Sequence, residues 1–234
     1  MQKILHKADT RGVAEHGWLH SRFSFSFAEW YEPTRMGFGA LRVINDDVIE
    51  PATGFGMHPH KDMEIITIVT QGAVTHSDDL GNTGLVQAGE VQVMSAGTGV
   101  VHSEYNNSPD TPLKLFQIWI EPKSKNIPPR YEQCTFVAPK PNCIQELVSP
   151  IGSKRRLTIN QDAFISHVTM TDGASVDYTV KVSGNGVYFF VIDGAFSIAD
   201  ELLGSRDALG VSEAPSVRIQ CSSAGTLLCI EVPL

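Results

Sequence analysis

Short apolar stretches separated by turn residues run through almost the whole chain. Ile65-Ile-Thr-Ile-Val69 leads into Gln71-Gly72, Val91-Gln-Val-Met94 follows Ala88-Gly89, and Leu113-Lys-Leu-Phe-Gln-Ile-Trp-Ile120 alternates before Glu121-Pro122 stops it. Further on, Val187-Tyr-Phe-Phe-Val-Ile192 meets Asp193-Gly194, and Gly225-Thr-Leu-Leu-Cys-Ile-Glu-Val232 forms the last such stretch. Runs of this length, rich in β-branched and aromatic residues and bounded by Gly, Pro, Asn and Asp, predict strands of an antiparallel sandwich or barrel. Helical periodicity is nearly absent. The predicted class is all-β.

The pattern also repeats. Ile68-Val-Thr-Gln-Gly72 followed by Leu85-Val-Gln-Ala-Gly89 resembles Phe190-Val-Ile-Asp-Gly194 followed by Arg206-Asp-Ala-Leu-Gly210. Two copies of one barrel would account for this, joined through the proline-rich stretch from Ile127-Pro-Pro-Arg130 to Ala138-Pro-Lys-Pro141. A length of 234 residues suits that division, because it exceeds the usual single-domain range of roughly 100–150 residues.

Charge narrows the function. The formal net charge is -8 and the basic residues are scattered, with Lys154-Arg155-Arg156 the one adjacent run. Nucleic acid calls for a positive stripe that displaces phosphate counterions, so direct nucleic-acid binding is not expected. No stretch has the length of a membrane span, and the first ten residues lack the apolar core of a secretory signal, so a cytoplasmic protein is expected. The four cysteines, Cys134, Cys143, Cys221 and Cys229, show no Cys-x-x-Cys pair. A disulfide between Cys221 and Cys229 across a turn at Ser222–Gly225 is geometrically conceivable, but reduced, mostly buried thiols are the expectation.

Two short motifs carry chemistry. In His58-Pro59-His60 the imidazoles stand two residues apart, which on a strand places both on one face with α-carbons roughly 6–7 Å apart. His102-Ser103-Glu104 repeats the spacing with an imidazole and a carboxylate. Each pair lies close to a glycine turn, Gly54-Phe-Gly56 or Gly97-Thr-Gly99. Ionisable groups turned into an apolar barrel are costly unless paired or metal-bound. If the two strands meet, His58, His60, His102 and Glu104 become a three-histidine, one-carboxylate site for one divalent first-row ion such as iron, manganese, cobalt, nickel, copper or zinc. His6, His16, His20, His76 and His167 have no partner at useful spacing and are expected to be structural or solvated. Phe55, Met57, Met94, Tyr105 and Trp119 are candidates for lining an apolar pocket beside the metal.

Phe23-Ser-Phe-Ser-Phe27, Met36-Gly-Phe-Gly-Ala-Leu-Arg-Val-Ile-Asn-Asp-Asp47, His58-Pro-His-Lys-Asp-Met-Glu64 and Ser95-Ala-Gly-Thr-Gly-Val-Val-His-Ser-Glu104, in that order, resemble the pirin family of the cupin superfamily. The resemblance covers most of residues 1–122. It implies a bicupin of two stacked antiparallel, jelly-roll-like β-barrels, with a metal-binding barrel over 1–125 and a degenerate one without metal over 126–234. It also implies that His58, His60, His102 and Glu104 hold iron or another divalent ion. The general cupin pattern has a proline where Ser95 stands and a glycine one position before Gly72. It also offers a first-motif glutamate, here Glu64, as a ligand. Four residues beyond His60, Glu64 would lie on the order of 13 Å away along an extended strand. Glu104 is therefore the expected ligand and Glu64 a supporting residue.

Three activities are compatible with this reading. The first is a quercetin 2,3-dioxygenase-like oxidoreductase acting on a flavonol or related catecholic or enediol compound with O₂, in which Glu104 accepts the substrate hydroxyl proton. The second is a non-catalytic, metal-dependent binding protein that serves as a regulatory, transcription cofactor-like protein partner. The third is a sugar isomerase or epimerase, for which Arg42 alone offers a basic group near the ligand motifs.

Overall fold

The computed structural model describes residues 1–138, 140–153 and 157–234, so Pro139 of the linker and the Lys154-Arg155-Arg156 run lie outside the described residues. The first half supplies β1 (Gln2–His6), β2 (Gly12–Glu15), β3 (Leu19–Phe23), β4 (Leu41–Ile49), β5 (Gly54–His60), β6 (Glu64–Gln71), β7 (Ala73–Asp78), β8 (Thr83–Gln87), β9 (Glu90–Ser95), β10 (Val100–Asn106) and β11 (Leu113–Ile120). The second supplies β12 (Arg130–Thr135), β13 (Gln145–Pro150), β14 (Thr158–Ile159), β15 (Phe164–Met170), β16 (Ser175–Thr179), β17 (Asn185–Ile198), β18 (Glu201–Leu203), β19 (Ala208–Ser212) and β20 (Ser216–Pro233). Among the described residues the helical content is one turn of 3₁₀ helix, Ala8–Thr10. The chain is all-β, as the alternation predicts, and every strand pair is antiparallel except the two-residue β13·β14 contact.

Three sheets are stacked. A four-stranded sheet, β5-β10-β7-β8, faces a seven-stranded one, β12-β9-β6-β11-β4-β3-β2, and the space between them is the interior of the N-terminal barrel. The far side of the seven-stranded sheet packs against the nine-stranded C-terminal sheet. Strands β6 and β11 are therefore buried on both faces: Ile66, Ile68, Phe116 and Ile118 meet Tyr188, Phe190, Leu228 and Ile230 across the junction, while Ile65, Thr67, Gln117 and Trp119 turn inward. Burial on both sides is why these strands read as continuous apolar runs. Asp46 clamps the same junction, accepting hydrogen bonds from Arg206 Nε at 2.7 Å and from an Arg11 guanidinium nitrogen at 3.3 Å.

The two halves repeat each other strand for strand. β6 lies between β9 and β11, as the first part of β17 lies between β19 and the last part of β20; β7 pairs with β8 and β10, as the end of β17 pairs with β18 and the start of β20. Each half also gives one strand to the other. β1 pairs with β19, from Gln2 opposite Ser212 to His6 opposite Ala208. β12 pairs with β9, from Arg130 opposite Ser95 to Thr135 opposite Glu90.

Two local expectations are corrected. Asp193-Gly194 does not stop a strand, and Ser222–Gly225 is not a turn: β17 and β20 run through both positions, with register shifts at 191–196. The cause is a tight crossing, where a Cβ at Gly225 would sit 2.2 Å from the Asp193 carbonyl oxygen and one at Gly194 would sit 2.6 Å from that of Ala224. Glycines at such bulges let a strand bend where a turn would otherwise be needed. Cys221 and Cys229 then stand on one strand, roughly 25 Å apart at about 3.3 Å per residue, too far for a bridge. Cys143, Cys221 and Cys229 are reduced thiols outside any disulfide.

β1 is anchored by His6, whose ring is buried, hydrogen-bonded to the Tyr188 hydroxyl at 2.9 Å and packed on Phe25. Burial, with a smaller contribution from the Arg35 charge, pushes the His6 pKa down to about 4. An unfolded histidine titrates near 6.5, so the unfolded chain takes up this proton first as pH falls. Stability should therefore decline between about pH 6.5 and pH 4, and His6→Gln should flatten that decline in part. Thermal midpoints across this window check it; an unchanged slope in the variant would show that His6 is not neutral in the fold.

Candidate metal centre

β5 and β10 are neighbours, and His102 lies directly opposite His58. Between His102 and Glu104 the register slips, because β10 advances two residues while β5 advances three, from His58 to Phe55. This bulge turns Phe55, His58 and His60 all towards the interior, where strict alternation would expose one of them. Gly54 makes the approach possible, since a Cβ there would fall 2.3 Å from the Glu104 carbonyl oxygen.

The three imidazoles converge. Ring centroids lie 4.8 Å apart for His58 and His60, 4.4 Å for His58 and His102, and 5.0 Å for His60 and His102. One nitrogen from each falls within 4.8 Å of the others. His58 Nδ1 donates to the Gly56 carbonyl at 2.7 Å, which leaves its Nε2 lone pair free. His102 Nε2 is buried with no hydrogen-bond partner. An orphaned buried nitrogen beside two further imidazoles is what a metal ligand looks like without its ion, so the residues fit a divalent cation. Burial, then the neighbouring imidazoles, lowers the His60 pKa to about 4 and the His102 pKa to about 3. These two rings are therefore neutral, as coordination requires.

Glu104 lies one step further along β10, buried and on the wall of the same cavity. Gln92 Nε2 donates to its Oε1 at 2.9 Å, Gln117 Nε2 to its Oε2 at 2.9 Å, and the Thr67 hydroxyl to Oε1 at 3.3 Å. Its atoms group most tightly with His76 and His102, within 4.8 Å. Glu64 is elsewhere. It is buried on the opposite face of β6 from Ile65, accepts a hydrogen bond from Ser95 Oγ at 2.6 Å, and its pKa is raised by burial against the opposing hydrogen bond from Ser95.

A cavity of about 280 Å³ opens onto these groups, at the lower end of small-molecule sites. Its walls are largely aromatic, with Trp18, Phe23, Phe27, Phe55 and Trp119, and Trp119 stands edge-on to His60 with centroids 4.9 Å apart. Of the five residues expected to line it, Phe55 and Trp119 do so. Met57 and Tyr105 are exposed, and Met94 packs in the apolar cluster with Ile65 and Val100. Arg42 faces Glu121 at 3.6 Å, outside the cavity, which removes the basic group an isomerase reading needs. Asp47 is on the wall, accepts a hydrogen bond from Ser21, and is pushed up to about 7 by burial against that bond, with the Asp46 and Glu104 charges adding to the rise.

The pattern reading missed His76. It is fully buried, centroid 5.3 Å from His102, hydrogen-bonded to Asp78 at 3.3 Å and stacked on Tyr131 at 4.4 Å. The signal was present: His76-Ser77-Asp78 has the same two-residue spacing as His102-Ser103-Glu104, and the two segments pair so that His102 faces Asp78 and Glu104 faces His76. His16, also expected to be structural or solvated, lines the cavity. Gln92, Gln117 and Thr67 were invisible as single polar residues inside apolar strands.

Two barrels of one strand order, with a histidine cluster inside the first, define a bicupin. The chain belongs to the pirin family. The Pirin profile matches residues 6–120, and a profile described as the quercetinase C-terminal cupin domain matches residues 146–232. The chain is 44% identical over 229 residues, 98% of each protein, to an Escherichia coli (strain K12) protein named quercetin 2,3-dioxygenase. It is 40% identical to a Caulobacter vibrioides pirin-like protein, over 95% of this chain and 96% of that one. The crystal structure of the Escherichia coli pirin YhhW in complex with nickel(II) superposes with a TM-score of 0.93 at 42% identity, covering 99% of both chains.

The buried Glu104 carboxylate depends on neutral donors. Gln92→Ala should leave one oxygen under-satisfied and cost about 1–3 kcal/mol in the metal-free protein, read from urea unfolding. A loss below about 0.5 kcal/mol would mean that water replaces the amide without penalty.

Proposed function

We propose that this protein is a metal-dependent dioxygenase acting on a flavonol such as quercetin, or a related catecholic compound, with His58, His60, His102 and Glu104 holding one divalent ion, iron foremost. The observation that carries the reading is the buried, partnerless His102 Nε2 beside His58 and His60, on the wall of an aromatic cavity. The matched relatives named quercetin 2,3-dioxygenase support the substrate class. When bound, the ion supplies a Lewis-acid and redox centre for a chelating substrate and O₂.

The chain's own residues do the rest. Trp18, Phe27, Phe55 and Trp119 sandwich a flat ring system and keep water out. Glu104, fixed by Gln92 and Gln117, takes the proton of the substrate hydroxyl. Asp47, near neutral in its titration, holds a second proton at the cavity wall. The working unit is residues 1–125, with 126–234 a supporting barrel: at the positions matching the metal strands, β16 and β20 present Val176, Tyr178, Val217, Ile219 and Cys221 to an apolar core. No helix of the described residues is long and apolar enough to cross a membrane, which accords with the proposed cytoplasmic setting.

Protein purified without an affinity tag should carry close to one transition-metal ion per chain. His60→Ala and His102→Ala should lose most of it while staying folded, and Glu104→Gln should weaken binding far more than Glu64→Gln. Stoichiometric metal in both histidine variants would refute the ligand set. The activity is tested separately: the iron- or copper-loaded protein should consume O₂ with quercetin and bleach its absorbance, and apo protein should not. Glu104→Asp should retain metal but lose turnover, because the carboxylate is withdrawn by one methylene. Loaded protein that turns over no flavonol or catechol, yet captures a specific protein only when loaded, would favour the regulatory-partner reading.

A further inference from the structure

Behind the imidazole cluster lies a second row of hydrogen bonds that the proposed reaction does not use. Asp78, buried at the end of β7, accepts at every contact: the Leu80 and Asn82 amides donate to Oδ1 at 3.0 and 2.9 Å, and Asn82 Nδ2 donates to Oδ2 at 2.9 Å. His76 Nε2 meets the same Oδ2 at 3.3 Å, and His76 Nδ1 meets His102 Nδ1 at 3.5 Å, near the outer limit for a hydrogen bond. Tyr131, on the strand that β12 lends to this barrel, stacks on His76 with 23° between the planes and holds the ring in place.

We propose that Asp78 and His76 form a positioning relay that fixes the tautomer and orientation of His102, so that its Nε2 lone pair is presented to the metal. The proposal rests on the reading of His102 as a ligand. The polarity of the chain follows from one fixed end. Asp78 receives hydrogen bonds from three other donors, so its contact with His76 must be donated by Nε2–H. A neutral His76 protonated at Nε2 carries its lone pair on Nδ1, which can only accept. His102 must then donate from Nδ1–H, and its lone pair is left on Nε2, the atom that is buried without a partner. No proton changes hands. A metal-bound imidazole commonly donates its other N–H to a carboxylate or carbonyl; here a second imidazole is interposed. His76 touches neither substrate nor, on this reading, the ion.

Two variants at one position test the relay. In His76→Gln the amide can accept from His102 with its oxygen and donate to Asp78 with its nitrogen, preserving the polarity. In His76→Leu both bonds vanish. Nickel(II) affinity by chelator competition should fall about 10–100-fold in His76→Leu and stay within about 3-fold of wild type in His76→Gln. Long-range ¹H–¹⁵N spectra of the metal-free protein supply a readout that packing alone would not move. His102 should carry its proton on Nδ1 in wild type and His76→Gln, and shift towards Nε2 protonation in His76→Leu. A wild-type His102 protonated at Nε2 overturns the relay even if His76→Leu fails to fold. Equal loss of nickel in His76→Gln and His76→Leu also overturns it, making His76 a ligand. His102→Ala separates the two claims: if it retains stoichiometric nickel, the ligand assignment fails; if it loses nickel while His76→Leu binds normally with an unchanged His102 tautomer, only the relay fails.

Discussion

Everything in the N-terminal barrel is arranged around the cost of taking a carboxylate and several imidazoles out of water. Placed in an apolar interior without compensation, each would cost several kcal/mol or change its ionisation. Both responses are visible. Glu104 is surrounded by amide and hydroxyl donors, while His60 and His102 give up their protons and remain neutral. The polar residues form a belt across the middle of the barrel. Leu19, Ile49, Val69, Val74 and Leu115 close it on one side, and Ile65, Met94, Ala96 and Val100 on the other. The apolar ends are what keep the belt dry, and dryness strengthens any interaction made there.

The second barrel shows the same strand plan without the histidine cluster; its one comparable group, the buried Glu231 carboxylate, accepts hydrogen bonds from Tyr178, Asn185 and two backbone amides. Where β5 and β10 carry His58, His60, His102 and Glu104, β16 and β20 carry Val176, Tyr178, Val217, Ile219 and Cys221, packed with Phe189, Phe196 and Leu209. The first half keeps an aromatic cavity of about 280 Å³ beside its histidines, and the second has a wider cleft of about 910 Å³ between the 143–147 segment and β16. A physical division of labour follows: the C-terminal sheet offers an apolar face, through Phe190 and Ile230, against which the strands β6 and β11 of the metal-bearing barrel are braced.

Period-two alternation made the all-β class and the two ligand motifs legible, because on a strand it decides directly which side chains share a face. The repeat was legible for the same reason, through Gly72 and Gly194 at matching places. What stayed hidden was set by contacts distant in sequence. Gln92 and Gln117 look like interruptions of apolar strands until Glu104 is seen between them. His76 carried the right spacing and lies between the turn glycines Gly72 and Gly81, but its place beside His102 shows only once β7 is paired with β10. The passage of β17 through Gly194 depends on Gly225 lying against it, and no local rule separates that bulge from a turn. Whether β1 joins the first sheet or the second cannot be read from Gln2–His6 alone.

The lending of one strand by each half has a consequence for how the molecule is made. β1 is synthesised well before its pairing partner, β19, because Gln2 pairs with Ser212 and His6 with Ala208. The nascent N-terminal half must therefore hold an unpaired strand, with its free amides and carbonyls, until β19 emerges. The metal-bearing barrel has a shorter wait, because β12 completes its sheet shortly after β11. The barrel with the chemistry can thus close on its own schedule, while the second one stays open until β19 is made and β1 is drawn in as its edge.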